Sequence, residues 1–269
     1  MKKDIRYYTD QNREAWNEAM PKHQAASKER LDQLFSKPGY IYQEDENLLQ
    51  VLKRIDVQGK DIIHLCCNNG IELLSLKNMG ANHCVGIDIC DEAIEEAQER
   101  AKKCGIDCEF IRSDVYDISE ELYNSFDIVQ LTAGCIGWIP DLNEFFRIIS
   151  HLLRVNGFVL IHEIHPFSEM LPFDNNYIEN RLQIIEPYFR DEAIVENGSL
   201  DYVGGTDYVA KTQYWFVHTI SSLIMALIKN GIRIEHFSEH SKDISAGHKK
   251  QEELDAQIPL SYILVGKKE

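Results

Sequence analysis

The sequence predicts an α/β protein built on a doubly wound, mostly parallel sheet. Three observations carry this. Apolar strand patterns at 61–65, 84–89, 108–111, 126–131 and 158–164 alternate with helical patterns. The first strand runs through a turn of small residues, Cys66-Cys67-Asn68-Asn69-Gly70, straight into the helical run Ile71-Glu72-Leu73-Leu74. An acid, Asp88, ends the second strand 18 residues after Gly70. In such Rossmann-like sheets the turn lets backbone approach a nucleoside, and the next strand's carboxylate meets the ribose hydroxyls.

Taken in order, residues 1–55 are polar with a helical character and read as an N-terminal helical cap on the sheet domain, 56–269. Residues 91–104 begin with acids, end with lysines and stop at Gly105, which suits the helix dipole and a glycine cap. Residues 141–155 place Leu142, Phe145, Phe146, Ile149, Leu152 and Leu153 on one stripe, predicting a helix that stops near Gly157. Residues 166–216 interrupt the alternation after the fifth strand, and connections of this length usually serve as lids or binding loops. Ten of the 26 aromatic residues fall in this insert, consistent with a substrate lid, a self-packed small sheet or a dimer interface. A helix at 219–230 and a strand at 232–237 follow. The polar stretch 238–257 reads as a loop with room for a short helix. A last strand at 260–265 then forms an antiparallel hairpin with the strand before it.

Composition narrows the function. The chain has 269 residues with 44% hydrophobic and 27% charged content, as in an ordinary globular protein. The formal net charge of −16 repels a phosphate backbone and argues against nucleic acid as partner. No apolar run approaches the roughly 18–20 residues that span a bilayer, and the polar start Met1-Lys2-Lys3-Asp4 carries no signal-peptide pattern. Seven cysteines, an odd number without paired ligand spacing, read as reduced thiols in a cytoplasmic protein, and no metal is expected.

The motifs His64-Leu65-Cys66-Cys67-Asn68-Asn69-Gly70, Gly86-Ile87-Asp88 and Arg112-Ser113-Asp114-Val115 resemble those of a class I S-adenosylmethionine-dependent methyltransferase. Phe126-Asp127-Ile128-Val129 and Leu153-Arg154-Val155-Asn156-Gly157-Phe158 complete the likeness, which covers about 56–165 well and the last 50 residues more loosely. Within that superfamily, His64-Leu65 before Cys67 and Glu163 before His165-Pro166 resemble a bacterial subgroup of small-molecule type. The resemblance implies S-adenosyl-L-methionine as cofactor, bound by His64, Cys66, Asn68, Gly70, Asp88, Ile89, Ser113, Asp114, Val115 and Thr132. Departures stand at His64, where the family usually has an acid, and at Cys66 and Asn68, where it has glycines. Asparagine tolerates a left-handed backbone best after glycine, so Asn68 or Asn69 can hold the same turn. A dinucleotide-binding reading needs three glycines for its pyrophosphate; Gly70 stands alone.

Methyl transfer is an in-line displacement that depends mainly on positioning, with a base needed only when the nucleophile must lose a proton. His162, Glu163 and His165 at the end of the fifth strand are ionisable groups in an otherwise apolar strand, and are the catalytic candidates. Alternation sends His162 to one face and the other two to the opposite face. His218 and the rings of Trp16 and Trp138 are weaker candidates. The expected function is methyl transfer to a small-molecule acceptor, by a monomer or homodimer. The alternatives are a cofactor-binding regulatory or scaffold protein without transfer activity, and a protein or RNA methyltransferase.

Overall fold

The computed structural model describes residues 4–42, 45–175 and 177–269; Met1, Lys2 and Lys3 lie outside the described residues. The strands are β1 (Ile62–Leu65), β2 (Cys84–Asp88), β3 (Glu109–Arg112), β4 (Phe126–Leu131), β5 (Leu153–Ile164), β6 (Ile194–Glu196), β7 (Gln213–Trp215), β8 (Ile232–His240) and β9 (Ser261–Lys268). Among the described residues seven of them form one sheet in the order β3-β2-β1-β4-β5-β9-β8, and β6 pairs with β7 in a separate ribbon. β1 to β5 run parallel, while β9 is antiparallel to both β5 and β8.

Helices cover both faces. Helices α5 (Leu142–Leu152) and α6 (Ile220–Lys229) bury Phe145, Ile149, Leu223 and Leu227 against Ile63, Leu65, Val129 and Ile161. On the other face α2 (Glu46–Ile55), α3 (Ile71–Asn78) and α4 (Asp91–Cys104) pack Leu52, Leu73, Ile94 and Ala97 on Ile62, Ile128 and Leu160. Each of these leucine, isoleucine, valine and phenylalanine side chains contributes about 1.5–3 kcal/mol when fully buried, which fixes the strand register. The α4 boundaries follow its charges: Asp91 and Glu92 open it, Lys102 and Lys103 close it, and Gly105 at φ 66° caps it.

The apolar stripe of α5 overreaches by one element. Leu153, predicted helical, is extended (φ −72°, ψ 139°) and opens β5 by pairing with Phe126. Its burial serves the sheet, and a register shift between Phe126 and Ile128 absorbs the early start, with Asn156 at φ 69°. In the predicted loop 238–257, β8 continues to His240 and a short helix, α7 (Lys249–Glu252), forms.

Helix α1 (Ile5–Phe35) lies over α4 and β7. Arg13 clasps Asp91 through two 2.9 Å hydrogen bonds, and Asn17 Nδ2 adds a third at 2.7 Å. Asn12 exchanges hydrogen bonds with the backbone of Tyr214, at 3.0 and 2.7 Å. The N-terminal segment is thereby fixed over the carboxyl ends of the strands. Among the described residues no helix is long and apolar enough to cross a membrane.

Candidate functional site

A cavity of about 1200 Å³ opens where strand order reverses, beside β1 and β4, between the strand ends, α1 and residues 166–216. Its sheet end is built by the turn after β1. Cys66, Asn68 and Gly70 have φ of 55°, 48° and 77°, and the Asn68 side chain accepts the N–H of Asn69 at 2.7 Å. Asparagine does here what glycine does elsewhere, stabilising a left-handed bend by bonding its own neighbour. Gly70 has a steric reason as well: a Cβ there would sit 2.5 Å from the Phe110 ring.

Asp88 joins this turn to the next one. Its Oδ2 accepts the N–H of Asn68 at 2.7 Å and its Oδ1 that of Cys90 at 2.8 Å. Burial pushes its carboxyl above the ordinary range, against the pull of backbone donors at Cys90, Asn68 and Ile89. Asp114 caps the turn after β3, accepting from Tyr116 N at 3.0 Å, while Ser113 N donates to Asp88 O at 2.9 Å.

Of the residues predicted to meet a cofactor, Cys66, Asn68, Asp88, Ile89, Asp114, Val115 and Thr132 line the cavity together. His64, Gly70 and Ser113 lie behind that lining. His64 is fully buried on β1 and its Nε2 is 3.0 Å from Thr132 Oγ1, so it holds a wall residue instead of facing the space. Burial alone lowers its pKa to about 3, which keeps the ring neutral.

The three catalytic candidates are dispersed by the fold, and none lines the cavity. His162 binds Asp45 Oδ2 at 3.0 Å, tying β5 to the start of α2. His165 Nδ1 accepts from Phe167 N at 3.1 Å, so Nε2 carries the proton and donates to Glu239 at 2.9 Å. Glu163 accepts backbone N–H groups of Gly134 (2.6 Å), Ile136 (2.9 Å) and Ile164 (2.7 Å). It therefore clamps the loop after β4. Burial outweighs these donors and pushes its carboxyl up to about 7. An ionisable group out of place in an apolar strand is explained here by loop backbone that needs acceptors.

Above the strand ends the cavity is aromatic. Trp138 meets Trp215 edge-to-face at 4.8 Å and Trp16 at 5.6 Å, and Tyr202 joins Trp16 at 6.4 Å. Trp215 packs so closely on the loop after β4 that any Cβ at Gly137 would come within 2.2 Å of its ring. His218 donates from Nε2 to Ile139 O at 2.7 Å, pinning the end of the insert to the same loop. The insert also supplies Glu169, Glu196 and Gln213 to the lining. Sequence reasoning missed all three; a single 3₁₀ turn at Ser168–Met170 and a ribbon of three-residue strands leave no periodic signal.

Comparison with known proteins agrees with this arrangement. The family described as "Methyltransferase domain" matches residues 62–157. An uncharacterized protein of Methanocaldococcus jannaschii is 37% identical over 151 residues, covering 52% of this chain and 68% of that protein. Ribosomal protein L11 methyltransferase of Tolumonas auensis is 27% identical over 116 residues, 43% of this chain, which spans 38% of that protein's length. A crystal structure of an S-adenosylmethionine dependent methyltransferase from Mesorhizobium loti superimposes with a TM-score of 0.58 at 19% identity. That match covers 81% of this chain and 96% of the other.

Proposed function

This chain belongs to the class I S-adenosylmethionine-dependent methyltransferases, and on that premise we propose that it methylates a small molecule held under residues 166–216. The observation that carries the reading is one cavity with two chemically different ends. At the sheet end, Asp88 offers a carboxylate to ribose hydroxyls, and Asp114 and Val115 border the space for the base. The left-handed turn at 66–70 brings backbone close to the methionyl part. The bound cofactor supplies a methyl group on a sulfonium sulfur, ready for in-line displacement.

The remaining volume belongs to the acceptor. Trp16, Trp138, Trp215 and Tyr202 wall it off, and the insert with α1 excludes water from the reacting centre. Glu163 and His64 act at one remove: Glu163 holds the loop 134–136 and His64 holds Thr132, so the wall keeps its shape when ligands enter. His165 braces the start of the insert by accepting from Phe167 N, and His162 ties β5 to the start of α2.

A protein acceptor is the second reading. It is favoured by Tyr177, Phe189 and Val209, apolar side chains exposed on the insert, and by relatives named as protein methyltransferases. Incubation with methyl-labelled cofactor and a cell extract, followed by separation of macromolecules from metabolites, decides between them. Label in the metabolite fraction is the expected result. Label confined to protein overturns the small-molecule assignment.

A further inference from the structure

The ribbon β6–β7 turns one face into the cavity. Ile194 pairs with Trp215 and Glu196 with Gln213, and all four line it. Two features of this face stand out. Gln213 is 2% exposed, and its Nε2 donates to Gly198 O at 2.9 Å, which orients the amide and leaves Oε1 as the other atom. No described residue donates to that oxygen. A buried acceptor without a donor costs about 1–3 kcal/mol, so a ligand that brings an N–H or O–H is favoured there. In the same lining, Glu169 accepts a hydrogen bond from the Trp215 side chain, while the charge of Glu196 acts on it in the unfavourable sense and that of Arg190 in the favourable one.

We propose that this face, with Glu169, receives a protonated amine on the methyl acceptor; the inference rests on the methyl-transfer reading above. Three groups of one lining, Gln213 Oε1, Glu169 and Glu196, are acceptors, and an ammonium carries three donors with no acceptor of its own. The rings of Trp16, Trp138 and Trp215 add quadrupole attraction for a cation in the same space. An anionic acceptor would meet the carboxylates and would leave Gln213 Oε1 unbonded. A neutral alcohol would satisfy Gln213 and gain nothing from Glu169 or the rings. Burial, ahead of the Trp215 hydrogen bond, pushes the Glu169 carboxyl up to about 7, so an arriving cation stabilises its ionised form near neutrality.

The test uses the full chain saturated with S-adenosylhomocysteine at pH 8. Calorimetric titration compares 2-phenylethylamine with its uncharged isostere 2-phenylethanol and with 3-phenylpropanoate. Saturable binding of the amine alone is expected, weakened at least tenfold in both Glu169→Gln and Gln213→Leu. S-adenosylhomocysteine affinity should stay at the wild-type value in both variants, which also reports that they fold. Binding of no probe, equal binding of the three, or an unchanged amine affinity in either variant overturns the amine assignment and leaves methyl transfer standing. Failure of wild type to bind S-adenosylhomocysteine removes the methyl-transfer reading, and this inference with it.

Discussion

Asp88 Oδ2 accepts the backbone N–H of Asn68 at 2.7 Å, so the carboxylate at the end of β2 holds the bend after β1 in its left-handed shape. One side chain thus organises both turns at the sheet end of the cavity, since its other oxygen takes Cys90 N. Hydrogen bonds to a charged group are worth about 1.5–3 kcal/mol each. Asp88→Asn keeps the shape but turns an N–H₂ toward a backbone donor. Calorimetry with S-adenosylmethionine should show affinity reduced by roughly 10- to 100-fold. A dissociation constant equal to wild type would remove Asp88 from the binding role.

Gly70 and the Phe110 ring occupy adjoining space at the start of α3. Gly70→Ala places a methyl 2.5 Å from the ring and holds φ at 77°, so both packing and backbone resist it. The expected cost is about 2–4 kcal/mol, read as a fall in the denaturant midpoint at constant slope. Phe110→Leu relieves the contact but not the backbone, so the double variant should recover part of the loss relative to additivity. Strict additivity would show that the ring is not what limits this position.

Much of this site was legible in the sequence because its signals are local. The helix 91–104 announces itself by charge order and Gly105, and Asp88 by its place after an apolar strand. What escaped depends on contacts between distant segments. Glu163 reads as chemistry in a strand, yet its partners are N–H groups at 134 and 136, brought back by the loop after β4. Leu153 continues a helical stripe, but sheet pairing with Phe126 overrides the periodicity. Glu169 and Gln213 are 44 positions apart and meet one cavity only because the insert folds back over the sheet.

Arg100 has its guanidinium fully buried at the junction of α1 and the turn after β1. It donates to Asp32 Oδ1 on α1 and to Asn69 O in the turn, each at 3.0 Å, and it pairs with Glu96. Arg100→Met leaves the buried Glu96 without its cation and Asp32 with Lys103 alone, a loss of about 3–5 kcal/mol where such pairs are broken. The melting temperature should drop by well over 5 °C, and limited proteolysis should cut first within α1. A cleavage pattern identical to wild type would show that the contacts of Arg13, Asn17 and Asn12 hold α1 without Arg100.

His64 and Glu163 should impose opposite pH dependences on stability. The folded pKa of His64 is about 3 against an unfolded value near 6.5, so between these pH values the unfolded chain binds more protons. Its contribution is therefore lost as pH falls through 6.5. Glu163 is shifted up to about 7 from 4.5, so between those values the folded chain holds the extra proton. Its contribution is full below pH 4.5 and is lost as pH rises through 7. From pH 4.5 to 6.5 the two slopes cancel in wild type. Thermal melts of the variants, read as differences from wild type at each pH, separate them. His64→Gln removes the rising slope, so its melting temperature relative to wild type should fall as pH goes from 4.5 to 6.5. Glu163→Gln removes the falling slope, and its relative melting temperature should climb over the same range. Parallel curves for either variant would show that the group titrates in the folded chain as it does in the unfolded one. For His64 that would mean a ring reached by water, with Thr132 no longer held against the cavity by a neutral partner.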